Sequence, residues 1–193
     1  VGGRYQLSTN DAIYSWADKY ANFKRVFDQM NLADKPQQKV LVLGLGLASI
    51  PVMLQKMGHR YHYTGVELDE EVIYLASKYV LDEIATDMTV IQADAAHYVE
   101  QCSEVFDIIT MDIFIGQMVP GKFWTETFVA QLKGLLKEDG VIIYNTIART
   151  EELAAASMQF YQGAFSPHFD RPAAIPIKGN LMLISNTDYL RVQ

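Results

Sequence analysis

The sequence predicts an α/β chain: a doubly wound, mostly parallel sheet of seven strands with an antiparallel C-terminal strand. Three observations carry that expectation. The apolar run Lys39-Val40-Leu41-Val42-Leu43 ends in Gly44-Leu45-Gly46 and passes into a helical pattern. A second strand, Gly65-Val66-Glu67-Leu68-Asp69, follows at the spacing of a βαβ unit and closes on an acid. Near the end of the chain, Pro172 to Ile177 and Leu181 to Asn186 read as two strands joined through Lys178-Gly179-Asn180, with no room for a helix between them. A βαβ series that ends in a hairpin places an antiparallel strand at the sheet edge. That ending fits poorly with a dinucleotide dehydrogenase, whose sheet is parallel throughout.

The elements follow in order. Arg4-Tyr5-Gln6-Leu7-Ser8 alternates as an edge strand does. From Asp11 to Met30, Tyr14, Trp16, Tyr20, Phe23, Val26, Phe27 and Met30 recur at helical spacing, with Thr9 or Asn10 as the cap. Ala33-Asp34-Lys35-Pro36 reads as a linker, so residues 1–35 form an N-terminal strand and helix appendage and 36–193 the main domain. Strands are expected near 39–44, 62–67, 88–93, 106–112 and 140–146. Helices are expected near 48–57, 70–79, 94–101, 123–136 and 151–161. The strands are mostly apolar on both faces, as in a parallel sheet covered by helices on each side.

Composition narrows the function classes. The formal net charge is −7 and no basic block stands out, which argues against a general nucleic-acid or anionic-membrane surface. No apolar run reaches the length that spans a bilayer, and the opening residues do not read as a signal peptide. Cys102 is the only cysteine, so no intrachain disulfide forms, and a cytoplasmic setting is the default expectation. The chain opens on Val1-Gly2-Gly3 without an initiator methionine, as a fragment or processed chain would. His59, His62, His97 and His168 lack metal-ligand spacing, so no metal site is expected. Cys102 reads as a small core residue.

Gly44 and Gly46 let backbone approach a ligand where a Cβ would collide, and an acid at the tip of the next strand accepts hydrogen bonds from ribose hydroxyls. Together they predict a nucleoside site, although Ser49 replaces the third glycine of the usual fingerprint. Glu67 read blandly is a helix N-terminal acid favoured by the dipole, and Asp94 an N-cap for the helix that begins at Ala95. Phe114, Gln117, Met118 and Trp124 are candidates to line an acceptor pocket, and Trp124 equally fits helix packing.

The order of motifs resembles the class I S-adenosylmethionine-dependent methyltransferase superfamily, a Rossmann-like fold, and most of all its spermidine synthase-like branch. Val42 stands two residues before the first glycine, where many methyltransferases carry an acid and polyamine synthases do not. Val66-Glu67-Leu68-Asp69 is similar to the family's Val-Glu-(Ile/Leu)-Asp and implies Glu67, with Leu68, at the adenosyl ligand's ribose end. Ala93-Asp94-Ala95 is similar to Gly-Asp-(Ala/Gly) and implies Asp94, with Ala95, at the adenine amine. Phe106-Asp107-Ile108-Ile109 leads to Asp112, at the site of the family's catalytic aspartate. Phe123-Trp124-Thr125-Glu126-Thr127-Phe128 and Leu136-Lys137-Glu138-Asp139-Gly140-Val141 resemble two further family segments. Gln6 falls where the family has a ligand-contacting glutamine, and Tyr14 where it has the tyrosine of Tyr-His-Glu. The resemblance also implies a homodimer, an expectation that the aromatic surplus of the first helix supports.

The departures fall in the amine site. The family's Gly-Gly-Gly-Asp-Gly has Leu47 in place of its acid, its Asp-x-x-Asp-Pro reads Asp112-Ile113-Phe114-Ile115-Gly116, and its Tyr-His-Glu reads Tyr14-Ser15-Trp16. An ammonium in the resulting apolar pocket would be costly to desolvate. The expected function is therefore an S-adenosylmethionine-dependent transferase, a methyltransferase on an unidentified small acceptor, with Asp112 holding the cofactor's ammonium, acting as base, or capping its loop. Aminopropyl transfer from decarboxylated S-adenosylmethionine with an altered amine site is one alternative, and a non-catalytic nucleoside-binding domain the other.

Overall fold

The computed structural model describes residues 7–8, 13–15, 21–32, 38–116 and 118–191, the first two segments by their backbone only. Leu7–Ser8 (β1) and Ile13–Ser15 (β2) pair antiparallel in a sheet of their own. Ala21–Phe27 forms α1. Then strand and helix alternate: β3 (Lys39–Leu43), α2 (Ser49–Lys56), β4 (His62–Glu67), α3 (Glu70–Tyr79), β5 (Met88–Gln92), α4 (Ala95–Gln101), β6 (Phe106–Met111), α5 (Glu126–Gly134), β7 (Leu136–Ile147) and α6 (Glu151–Phe160). A closing hairpin of β8 (Ala173–Ile177) and β9 (Asn180–Ile184) completes the strands among the described residues.

The main sheet has seven strands in the order β5-β4-β3-β6-β7-β9-β8. The four pairs from β5 to β7 are parallel, and β9 lies antiparallel between β7 and β8. The hairpin therefore turns inward: its second strand fills the slot beside β7 and its first takes the edge, where Pro176 costs no pairing partner. Val40, Leu41, Val42 and Leu43 of central β3 are all fully buried and divide between two apolar clusters, one on each face of the sheet. Each such side chain stabilises the fold by about 1.5–3 kcal/mol.

Several boundaries move. The helix expected over Asp11 to Met30 is confined, among the described residues, to Ala21–Phe27, because Ile13–Ser15 pairs as β2. The aromatic recurrence of that segment is shared between a strand and a helix. Phe23 and Phe27 are fully buried in the same cluster as Val40 and Val42, so the chain's own core consumes part of the aromatic surface expected at a dimer interface. The helix expected from residue 123 begins at Glu126, after a tight turn at Gly121–Phe123 and a Thr125 cap that accepts the Phe128 N–H. The strand expected over 140–146 runs from Leu136 to Ile147. Beyond α6, residues 161–165 continue as a wider π-type turn. Cys102 is half-buried at the C-terminus of α4 and packs against the apolar cluster on that face, and its Sγ donates to Tyr98 Oη at 3.5 Å. No described helix is long and apolar enough to cross a membrane.

Candidate functional site

Parallel order puts the ends of β3, β4 and β6 on one edge, where the loops after them form a crevice beside the β3/β6 switch point. The chain leaves β3 through three left-handed residues, Gly44 (φ 82°), Gly46 (φ 55°) and Ala48 (φ 52°). A Cβ on Gly44 would lie 2.4 Å from the Asp112 carbonyl oxygen, so only glycine lets the two loops close on one another. The close approach that Gly44 serves is thus to the chain's own backbone.

Glu67 ties this turn to β4. Its Oε2 accepts the Gly46 N–H at 2.9 Å, while Oε1 accepts those of Leu68 at 2.9 Å and Asp69 at 3.2 Å. Asp69 caps α3 by accepting the Glu71 and Val72 N–H groups, and Glu67 lies two residues before it, next to the helix N-terminus. Glu67 Oε2 faces the glycine turn, and a carboxylate with about four lone-pair sites keeps room for a further donor. Leu68 beside it is 64% exposed.

Asp94 caps α4 by accepting the Ala96 N–H at 2.9 Å, and its other oxygen is ion-paired with Lys122. Ala95 is buried behind it. Burial raises the Asp94 pKa, but the Lys122 ammonium and the Ala96 N–H outweigh it and hold the carboxyl below its ordinary value of 3.8. The stability this contributes is complete above that value and is lost as pH falls through the lowered pKa. Lys122→Ala should accordingly flatten the acid-side loss of stability in denaturation at stepped pH. An unchanged acid limb would show that Lys122 does not set the Asp94 charge. Lys122 was not legible from sequence, because the pairing spans 28 positions through a loop with no periodicity.

Asp112 follows directly after β6, and its N–H donates to the Leu43 carbonyl at 2.9 Å. Its Oδ1 accepts the Asn145 Nδ2 group at 2.9 Å. Asn145 Oδ1 accepts Asn180 Nδ2 at 2.8 Å, and Asn180 Oδ1 accepts Asn22 Nδ2 at 2.9 Å. Asn145 was legible as a lone amide in the apolar run of β7, whereas Asn180 read as a turn residue.

The acceptor-side candidates separate. Ile115 and Met118 close a tight turn on each other's backbone and are 71% and 67% exposed, while Phe114 packs partly on the core. Trp124 lies 5.0 Å from the Phe160 ring, and its buried Nε1 has no hydrogen-bond partner among the described residues. Leu47, which stands in place of the family's acid, is 5% exposed in the core cluster. Gln6 and Gln117 lie outside the described residues, as does the side chain of Tyr14. A groove of about 280 Å³ lined by Lys39, His62, Asp87, Tyr98 and Glu104 opens at the opposite edge, away from all these groups. Among the described residues no cluster of three or more His, Cys, Asp or Glu side chains could hold a metal.

A family model described as the spermine/spermidine synthase domain matches residues 23–184. The chain belongs to this family. A polyamine aminopropyltransferase of Vibrio vulnificus is 28% identical over 139 residues, 70% of this chain and 46% of that protein. An N-terminal histidine N-methyltransferase of Emericella nidulans is 34% identical over 110 residues, 54% of this chain and 19% of that protein. The chain thus spans less than half the length of either. Among solved structures, a probable spermidine synthase from Corynebacterium glutamicum matches with a TM-score of 0.73 at 19% identity, covering 95% of this chain and 72% of its own. Human methyltransferase-like protein 13, solved in complex with SAH, matches with a TM-score of 0.63 at 22% identity, covering 78% and 72%. The fold is that of the S-adenosylmethionine-dependent methyltransferases, and relatives within the synthase-domain family and around it include both aminopropyl- and methyltransferases.

Proposed function

We propose that this synthase-domain chain is an S-adenosylmethionine-dependent transferase that moves a methyl group to a small acceptor. The observation that carries the reading is Glu67: its carboxylate sits against the Gly46 N–H, so the acid of β4 and the glycine turn of β3 form one donor–acceptor edge. That edge suits a ribose, whose hydroxyls can donate to the lone pairs that Glu67 keeps free. The exposed Leu68 offers an apolar surface to a purine, and Asp94 keeps lone pairs for a purine amine beside Lys122. When bound, an S-adenosyl sulfonium supplies a carbon activated for in-line displacement. The chain's own contribution is to align the acceptor, exclude water and, at Asp112, hold an ammonium or take the acceptor's proton.

Glu67→Ala should weaken S-adenosylhomocysteine binding about tenfold or more by calorimetry, through loss of charge-assisted bonds worth roughly 1.5–3 kcal/mol. Because Glu67 also holds Gly46, the variant's melting temperature is measured alongside. Affinity equal to the parent's would refute the ribose role.

Aminopropyl transfer is the second reading, favoured by the family match and the Vibrio relative. Against it stand Ser15, the buried Leu47 and the exposed Ile115, which occupy the positions where the family places its amine-site histidine and acids. We therefore expect negligible spermidine from putrescine and decarboxylated S-adenosylmethionine. Turnover on the order of 1 per second would reverse the order of the two readings. A homodimer belongs to the same proposal and is read by sedimentation velocity across the micromolar range.

A further inference from the structure

The three asparagines behind Asp112 have a direction. An ionised carboxylate can only accept, so Asn145 must turn its NH2 group toward Asp112. That leaves the Asn145 carbonyl for the Asn180 NH2, and the Asn180 carbonyl for that of Asn22. Each amide polarises the next, and every positive end points toward the acid. Asn145 and Asn180 are 1% and 6% exposed, so water cannot substitute freely for either bond. The sheet explains how they meet. Met111 of β6 pairs in register with Tyr144 of β7, which sets Asp112 and Asn145 side by side one position further along. Asn180 opens β9 opposite Ile147, and Asn22 reaches it from α1.

We infer that Asn145, backed by Asn180 and Asn22, is a positioning residue for Asp112: the amide chain fixes the carboxylate's plane, so that α1 is coupled to the reaction centre. The inference rests on the proposed role of Asp112. The Asp112 backbone is pinned independently, by its N–H to Leu43 and by its contact with Gly44. The Asn145 amide acts on the remaining degree of freedom, the orientation of the side chain, through Oδ1.

Two measurements on the intact protein decide this. In the ligand-free protein, the side-chain amide resonances of Asn145, Asn180 and Asn22 should move together during an acid titration, and the common transition should vanish in Asp112→Asn. Asn145 amide signals indifferent to Asp112→Asn would overturn the inference, whether or not any nucleoside binds. The second is a double-mutant cycle on S-adenosylhomocysteine affinity. Asn145→Ala should weaken binding roughly three- to tenfold in the parent and leave it unchanged in an Asp112→Ala background, where the contact is gone. Asn22→Ala, at the half-buried end of the chain, should show the same pattern with a smaller loss and an intact fold. Equal losses in both backgrounds would mark the asparagines as structural only. A parent that binds no S-adenosyl ligand would refute the cofactor reading, with the titration still deciding the positioning role.

Discussion

Gly44→Ala should cost roughly 2–5 kcal/mol of stability in chemical denaturation, combining a left-handed alanine with overpacking. The backbone there is at φ 82°, and the new Cβ would lie 2.4 Å from the Asp112 carbonyl oxygen and 2.9 Å from its carbon. These contacts are with backbone, so a rotamer change cannot relieve them. The β3 turn or the Asp112 segment must move instead, and the variant should therefore lose nucleoside affinity as well as stability. A loss below about 1 kcal/mol, within the range of ordinary substitutions, would mean that the two loops are not held in contact.

Asp112→Asn is expected to leave the fold intact and to reduce turnover by about 10²–10⁴-fold if Asp112 acts as general base. The new amide can still offer a carbonyl oxygen to Asn145 Nδ2, so the buried contact at 2.9 Å survives. If Asp112 instead holds the cofactor's ammonium, the loss appears mainly as weaker cofactor binding. Cofactor affinity is measurable at once, and turnover becomes measurable when an acceptor has been found by screening. Unchanged values for both would leave Asp112 as a loop cap.

Much of the crevice was legible because it depends on short-range order. The apolar run at Lys39, the glycines after it and the acid at Glu67 place β3, its turn and β4 together, and the parallel register then brings Glu67 to Gly46. The closing hairpin at residues 172–186 likewise announced the antiparallel strand. What periodicity could not resolve was competition between local patterns. Tyr14 and Phe23 fit one helical stripe on paper, yet Ile13–Ser15 pairs with β1 instead. Nor could it show that Leu47 turns into the core, since burial depends on how α2 packs. Side-chain bonds across elements were the least visible. Lys122 meets Asp94, and Asn22 meets Asn180, only after the sheet has set the register, and neither pair has a spacing that sequence alone would single out.

The edge made by Gly46 and Glu67 is expected to bind an S-adenosyl ligand in its carboxylated form. Calorimetry on one preparation with S-adenosylmethionine, decarboxylated S-adenosylmethionine, methylthioadenosine and NAD tests it most directly. S-adenosylmethionine should bind in preference to its decarboxylated counterpart, and NAD should not bind. Preference for the decarboxylated ligand would contradict methyl transfer in favour of aminopropyl transfer, and failure of all four to bind would contradict the nucleoside site itself.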